Sequence, residues 1–211
     1  MELNGRTINF LGDSITEGKG VEFPENRFVE RIAAQANCIC RNYGAGGTRI
    51  ARQTNASNPT RYDYDFNARL CCVDHKADLI VVFGGTNDFG HGDAPLGTKD
   101  DRNIYTFYGA VKSLFTDLRK HYSNEQIVIL TPLHRFRPEE DSVYPSLEVY
   151  VNILIEAAKE YQFHLLDLYN ESRIHPQYEN VRETLVPDGL HPNDEGHRIL
   201  ADEILNALNC F

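Results

Sequence analysis

Short apolar runs, each stopped by glycine or a polar turn, alternate along this chain with longer segments of helical period. Ile8 to Leu11 run into Gly12, Leu79 to Phe83 into Gly84-Gly85, and Ile127 to Leu130 into Thr131-Pro132. Ile39 to Tyr43 and Leu165 to Leu168 are two weaker runs of the same kind. Between them lie apolar stripes spaced three and four residues apart: Phe28, Val29, Ile32, Ala33 and Ala36; Phe107, Val111, Leu114 and Leu118; Leu147, Val151, Leu154 and Ala158; and finally Leu200, Ile204 and Leu208. Runs without polar alternation suit strands buried on both faces, and strand–helix alternation predicts a parallel sheet with helices on each side. The expectation is one α/β domain over residues 1–211. It is a three-layer α/β/α sandwich on a flavodoxin-like, five-stranded parallel sheet in the order 2-1-3-4-5. Segments 44–60, 84–103, 132–145 and 169–191 read as loops. Open α/β sheets bind ligands at the carboxyl edge of their strands, so that edge is where chemistry is expected.

Charge narrows the partners. Lys and Arg number 21 against 31 Asp and Glu, a formal net charge of −10, which disfavours contact with phosphate backbones. Nucleic acid is therefore not an expected partner. No apolar run approaches the roughly eighteen residues of a membrane span, and Met-Glu-Leu-Asn-Gly-Arg-Thr does not read as a signal peptide. A cytoplasmic location follows as an expectation, while oligomeric state leaves no mark in the sequence. The five cysteines, Cys38, Cys40, Cys71, Cys72 and Cys210, lack the spacing of a zinc site and read as reduced structural thiols.

Four short segments fall at the expected edge. Gly12-Asp13-Ser14-Ile15-Thr16-Glu17-Gly18 follows the first strand, and Asn42-Tyr43-Gly44-Ala45-Gly46-Gly47 accompanies the second. Gly85-Thr86-Asn87-Asp88 follows the third, and Asp188-Gly189-Leu190-His191 precedes the last helix. Together they supply the parts of acyl transfer. A serine hydroxyl is a weak nucleophile and needs a base, the base needs a carboxylate to orient it, and the tetrahedral intermediate needs donors aimed at its oxyanion. Ser14 is the candidate hydroxyl, His191 the base, and Asp188, three residues earlier, the orienting acid. Gly47, Asn87 and the Ser14 amide are the candidate oxyanion donors. Each residue has an ordinary alternative: Ser14 as a helix cap, Asn87, Asp188 and His191 as turn residues. Those alternatives do not explain why all four segments meet at one sheet edge.

These blocks resemble the SGNH hydrolase family, the GDSL-like lipases and acylhydrolases. Ser14, Gly47, Asn87 and His191 match the four residues that name it, and Asp188 matches its acid. The blocks run in family order from Gly12 to His191. The resemblance implies an ester hydrolase with Ser14, Asp188 and His191 as triad and Ser14, Gly47 and Asn87 as oxyanion hole, needing no metal or organic cofactor. One detail departs: Thr48-Arg49 stands where the family often has Asp-Thr. Family substrates include acetyl esters of carbohydrates, lipid esters and thioesters. Loops rich in Gly, Asn, Asp, Arg and His favour a small-molecule ester with a short acyl group on a polar carrier such as a sugar. A lysophospholipase or thioesterase activity and a non-catalytic binding relative are the alternatives.

Other residues near the edge are weaker candidates. Arg49, His91 and Asp93 are placed to line a pocket, and His134, Arg135 and Arg137 form a basic group after the fourth strand, with a solvated surface as the competing reading. His197 lacks the companion ligands of a metal site, and His75, His121, His164 and His175 carry no motif. A phosphate-binding loop is excluded because five residues separate Gly12 from Gly18 and Lys19 is followed by glycine. A dinucleotide fingerprint counted from Gly44 places Arg49 at its last small position, and no G-x-S-x-G pentapeptide occurs.

Overall fold

A computed structural model of the protein describes residues 2–137 and 145–211. Five strands form one parallel sheet: β1 (Thr7–Gly12), β2 (Ile39–Gly44), β3 (Leu79–Phe83), β4 (Ile127–Leu130) and β5 (His164–Leu166). Their order is β2-β1-β3-β4-β5, as the alternation predicts. Alternate side chains along each strand enter opposite layers. Ile8, Phe10, Leu79, Val81, Phe83, Val128 and Leu130 pack on α2 (Phe28–Ala36) and α9 (Asp194–Cys210). Leu11, Ile80, Val82, Ile127 and Ile129 pack on α3 (Phe66–Leu70), α5 (Phe107–Leu118) and α6 (Leu147–Tyr161). Burial on both faces is why β3 and β4 read as unbroken apolar runs; β1 is interrupted by Asn9, buried and donating to the Asp74 carbonyl and the Tyr122 hydroxyl. Among the described residues, no helix is long and apolar enough to cross a membrane.

The register brings the strand ends level. Gly12 pairs with Gly44 and with Phe83, Phe83 with Leu130, and Leu130 with Leu166. Strand order reverses at β1, whose neighbours β2 and β3 lie on either side, so a crevice opens above it. Two short helices start there: α1 (Ser14–Glu17) after β1 and α4 (Thr86–His91) after β3.

The expected loops hold more structure than the sequence suggests. Segment 84–103 contains α4, and 169–191 contains α8 (Glu179–Leu185). Strand β5 ends two residues early, because the Asp167 side chain accepts the Asn170 amide and caps α7 (Leu168–Glu171). Half of the expected loop 132–145, residues 138–144, lies outside the described residues.

Candidate active site

Ser14 stands at the first position of α1, but it does not cap that helix. Asp13 does: its carboxylate accepts the Ile15 amide at 3.0 Å, which leaves the serine hydroxyl available. Burial pushes the Asp13 carboxyl up to about 6, against the Ile15 amide and the nearby His191, Arg69 and Arg135, which pull it down. Ser14 Oγ lies 3.0 Å from His191 Nε2. On the other side of the ring, His191 Nδ1 meets Asp188 Oδ2 at 2.6 Å. The second Asp188 oxygen accepts the His191 and Leu190 amides at 2.7 and 2.9 Å. Burial acts to raise the Asp188 carboxyl, but these bonds outweigh it and hold it far below the usual carboxylate range. The carboxylate is nonetheless 48 % exposed, whereas His191 is buried.

The opposite wall comes from the segments after β2 and β3. Gly47 turns at φ +77°, and a Cβ there would lie 2.2 Å from the Tyr62 ring, so the turn under Tyr62 requires glycine on both counts. Glu17 accepts the Gly46 amide at 3.0 Å, and Arg69 donates to Thr48 Oγ1 at 2.8 Å and to the Tyr43 carbonyl, bracing the turn from below. Among the described residues, the Gly47 amide has no hydrogen-bond partner. Asn87 Nδ2 donates to the Thr48 carbonyl at 3.0 Å, and Asn87 Oδ1 lies 3.1 Å from His91 Nε2. Asp88 accepts the amides of Ile50 and Ala51, both at 2.9 Å. Burial pushes its carboxyl up to about 7, although those two amides and Arg49 favour the ion.

Ser14, His191, Gly47, Asn87 and His91 line one cleft of about 310 Å³. The expectation of a pocket role holds for His91, and Arg135 and Arg137 also reach the cleft rather than a solvated surface. Arg135 donates to Thr86 Oγ1 and to the Thr86 carbonyl, under the start of α4. Arg49 lies behind the cleft, buried, and Asp93 accepts the Thr54 and Asn55 amides on its flank; both line an adjoining hollow together with Tyr62 and His91. His134 is turned away, stacked on Tyr169 with ring centres 3.8 Å apart and tilted against His175 at 3.7 Å. His197 is fully buried against Phe28 and accepts the Phe28 amide at 3.1 Å. His75 stacks on His121 and His164 on Phe211, both outside the cleft. Tyr62, whose ring covers Gly47, and Arg61, which lines the cleft beside it, carry no motif by which the sequence could single them out. A larger hollow of about 660 Å³ lies against α9 beside Leu3, and among the described residues no Ser, Cys or His lines it.

Known proteins share the sequence pattern and the fold. The sequence profile of the GDSL-like lipase/acylhydrolase family matches residues 10–199. An acetylxylan esterase of Xylanibacter ruminicola is 23% identical over 94% of this chain; the chain spans 42% of that relative's length. A crystal structure of a Lactobacillus plantarum protein superposes with a TM-score of 0.85 at 26% identity, covering 99% of this chain and 98% of the other. A catalytic mutant of an acetylxylan esterase from Geobacillus stearothermophilus shares the fold with a TM-score of 0.65 at 19% identity, over 99% of this chain and 96% of its own.

Proposed function

The chain belongs to the GDSL-like lipase/acylhydrolase family, a family of ester hydrolases, and from that premise we propose that residues 1–211 act as a single domain that removes short acyl groups, acetyl foremost, from a sugar carrier. The observation that carries this reading is the line Ser14 Oγ to His191 Nε2 to Asp188, at 3.0 and 2.6 Å, facing Gly47 and Asn87 across one cleft. Ser14 Oγ attacks the ester carbonyl while His191 Nε2 takes its proton. Asp188, held ionised, fixes the tautomer with Nδ1–H toward itself and stabilises the imidazolium. The oxyanion sits among the Ser14 amide, which as a first-turn N–H has no partner within its helix, the Gly47 amide, and Asn87 Nδ2. Collapse expels the alcohol, which takes the proton from His191. Water, activated by the same histidine, then releases the acid from Ser14.

Two features support a short acyl group on a polar carrier. Leu190 is the one aliphatic side chain among the described residues lining the cleft, so a long chain finds no apolar track. A second hollow of about 340 Å³ shares the Tyr62 and His91 walls and is otherwise lined mainly by polar groups such as Gln53, Asn55, Ser57 and Asn58. Tyr62 offers a ring face to a sugar there, and the amides offer partners for hydroxyls. The acetylxylan esterase relative points the same way. Five free thiols, three of them on exposed residues, suit a reducing compartment, so a soluble acetylated oligosaccharide in the cytoplasm fits better than a polymer.

The test is hydrolysis of p-nitrophenyl esters from two to twelve carbons, alongside acetate release from acetylated xylo-oligosaccharides. Preference for the two-carbon ester and for the sugar substrate is expected. Preference for eight carbons or more would replace this reading with a lipid acylhydrolase.

A further inference from the structure

The Asn87 side chain can serve an oxyanion only if its NH2 end, not its oxygen, faces the cleft, and the surrounding bonds decide which. Its two fixed boundaries are unambiguous in chemistry. The Thr48 carbonyl accepts only, so the Asn87 atom 3.0 Å from it is Nδ2. Asn87 Oδ1 therefore faces His91 Nε2 at 3.1 Å, and that nitrogen must carry hydrogen. At the far side of the ring, Arg49 Nη1 lies 3.1 Å from His91 Nδ1. Guanidinium only donates, so Nδ1 must be bare. A carbonyl at one end and a guanidinium at the other thus impose one tautomer on His91 and one orientation on Asn87.

We propose that His91 is a positioning residue for the oxyanion hole, holding the Asn87 amide with its second N–H aimed at the reacting carbonyl, while Arg49 holds His91. This rests on the reading of Asn87 as an oxyanion donor. The relay is built into the fold. Asn87 and His91 are four residues apart on α4 and so share a face. Arg49 is itself clamped: it donates to the His91 carbonyl at 3.1 Å, to Ser57 Oγ at 2.6 Å, to the Tyr62 carbonyl at 3.2 Å and to Asp63 at 3.0 Å. Tyr62 packs against the imidazole, ring centres 5.5 Å apart. A protonated His91 would set an N–H against the Arg49 N–H, and burial, then the Arg49 charge, push its titration down to about 4. The ring is neutral wherever an ester hydrolase of this kind works.

Imidazole Nε2 and the amide nitrogen of glutamine occupy similar places relative to the main chain, whereas an asparagine amide stops near Nδ1. His91→Gln should keep most activity, while His91→Asn and His91→Phe should lose about 10- to 100-fold in kcat with KM within about threefold. In an Asn87→Ala background, His91→Phe should cost nothing further, because its effect passes through that amide. Nitrogen NMR of the resting enzyme should show His91 as the Nε2–H tautomer. Four results would overturn the relay: unchanged kcat in His91→Phe, an effect confined to KM, a loss of equal size in the Asn87→Ala background, or an Nδ1–H tautomer. An Asn87→Ala enzyme of full activity would instead overturn the oxyanion reading beneath it.

Discussion

The two walls of the cleft are held in opposite ways. On the nucleophile wall the positioning bonds are local, although the Ser14–His191 contact they serve joins residues 177 apart: Asp188 reaches His191 three residues on, Asp13 caps α1 one residue before Ser14, and the acid is half open to solvent. On the oxyanion wall they are distant. Arg49 reaches His91 across 42 residues of sequence and Asn87 reaches Thr48 across 39, with the four-residue Asn87–His91 contact between them; Arg49 and Asn87 are buried, while His91 is exposed. A local arrangement can form from a short motif and tolerates water nearby. A distant one depends on two loops docking correctly, and its donors gain strength from a drier setting. In the mechanism proposed above, the first wall makes the bond and the second stabilises the charge that bond formation creates.

The largest effect should come from the nucleophile wall. Ser14→Ala is expected to lower kcat by about 10⁴-fold or more with the fold intact, read by ester hydrolysis and by labelling with a fluorophosphonate. Labelling at full strength in that variant would remove Ser14 from the centre. Asp188→Asn should cost about 10³-fold, less than the roughly 10⁴-fold typical of a fully buried triad acid, because water can partly replace an exposed carboxylate. A loss no greater than tenfold would mean that the two amides, not the carboxylate charge, hold His191.

Asn87→Ala tests the second wall and should cost about 100- to 1000-fold in kcat with little change in KM. If adding salt up to 0.5 M weakened Asp188→Asn and wild type alike but spared Asn87→Ala, the contrast between a wet and a dry wall would fail. The smallest effect concerns a buried histidine outside the cleft. Burial pushes His197 down to about 4, so the folded state refuses a proton that the unfolded chain accepts below about 6.5. Its contribution is therefore present above pH 6.5 and lost as pH falls toward 4, at up to about 1.4 kcal/mol per pH unit. His197→Asn, which keeps an acceptor for the Phe28 amide, should melt lower at pH 7, lose less on acidification, and keep kcat. A kcat loss like that of His91→Phe would show that a histidine outside the cleft matters as much as one lining it, and the distinction between the walls would collapse.

The same contrast explains what could be read from the sequence. Buried strands such as Leu79–Phe83 announce themselves because every residue is apolar, and β5 was overextended because Leu168 continues an apolar run that the Asp167 cap in fact ends. Helix α4 shows no periodic pattern in the sequence, because Asn87, Asp88 and Gly90 are turn formers and its cap, Gly85, sits at φ +108°. Ser14, Gly47, Asn87, Asp188 and His191 were legible as residue types in motifs. Their supports were not. Nothing in Arg49 or His91 indicates that they touch, and nothing in Tyr62 indicates that its ring lies over Gly47.

The Asp88 carboxylate, bound to the Ile50 and Ala51 amides, has a mechanical consequence. With the Asn87–Thr48 bond beside it, three links join residues 48–51 to the first turn of α4. Gly47 and Asn87 therefore travel together: any excursion of the loop carries the helix start with it, and the spacing between the two donors survives while their distance to Ser14 changes. For the proposed oxyanion hole these links act like the bar of a calliper, so thermal motion is expected to detune it by misaligning the whole jaw rather than by opening it.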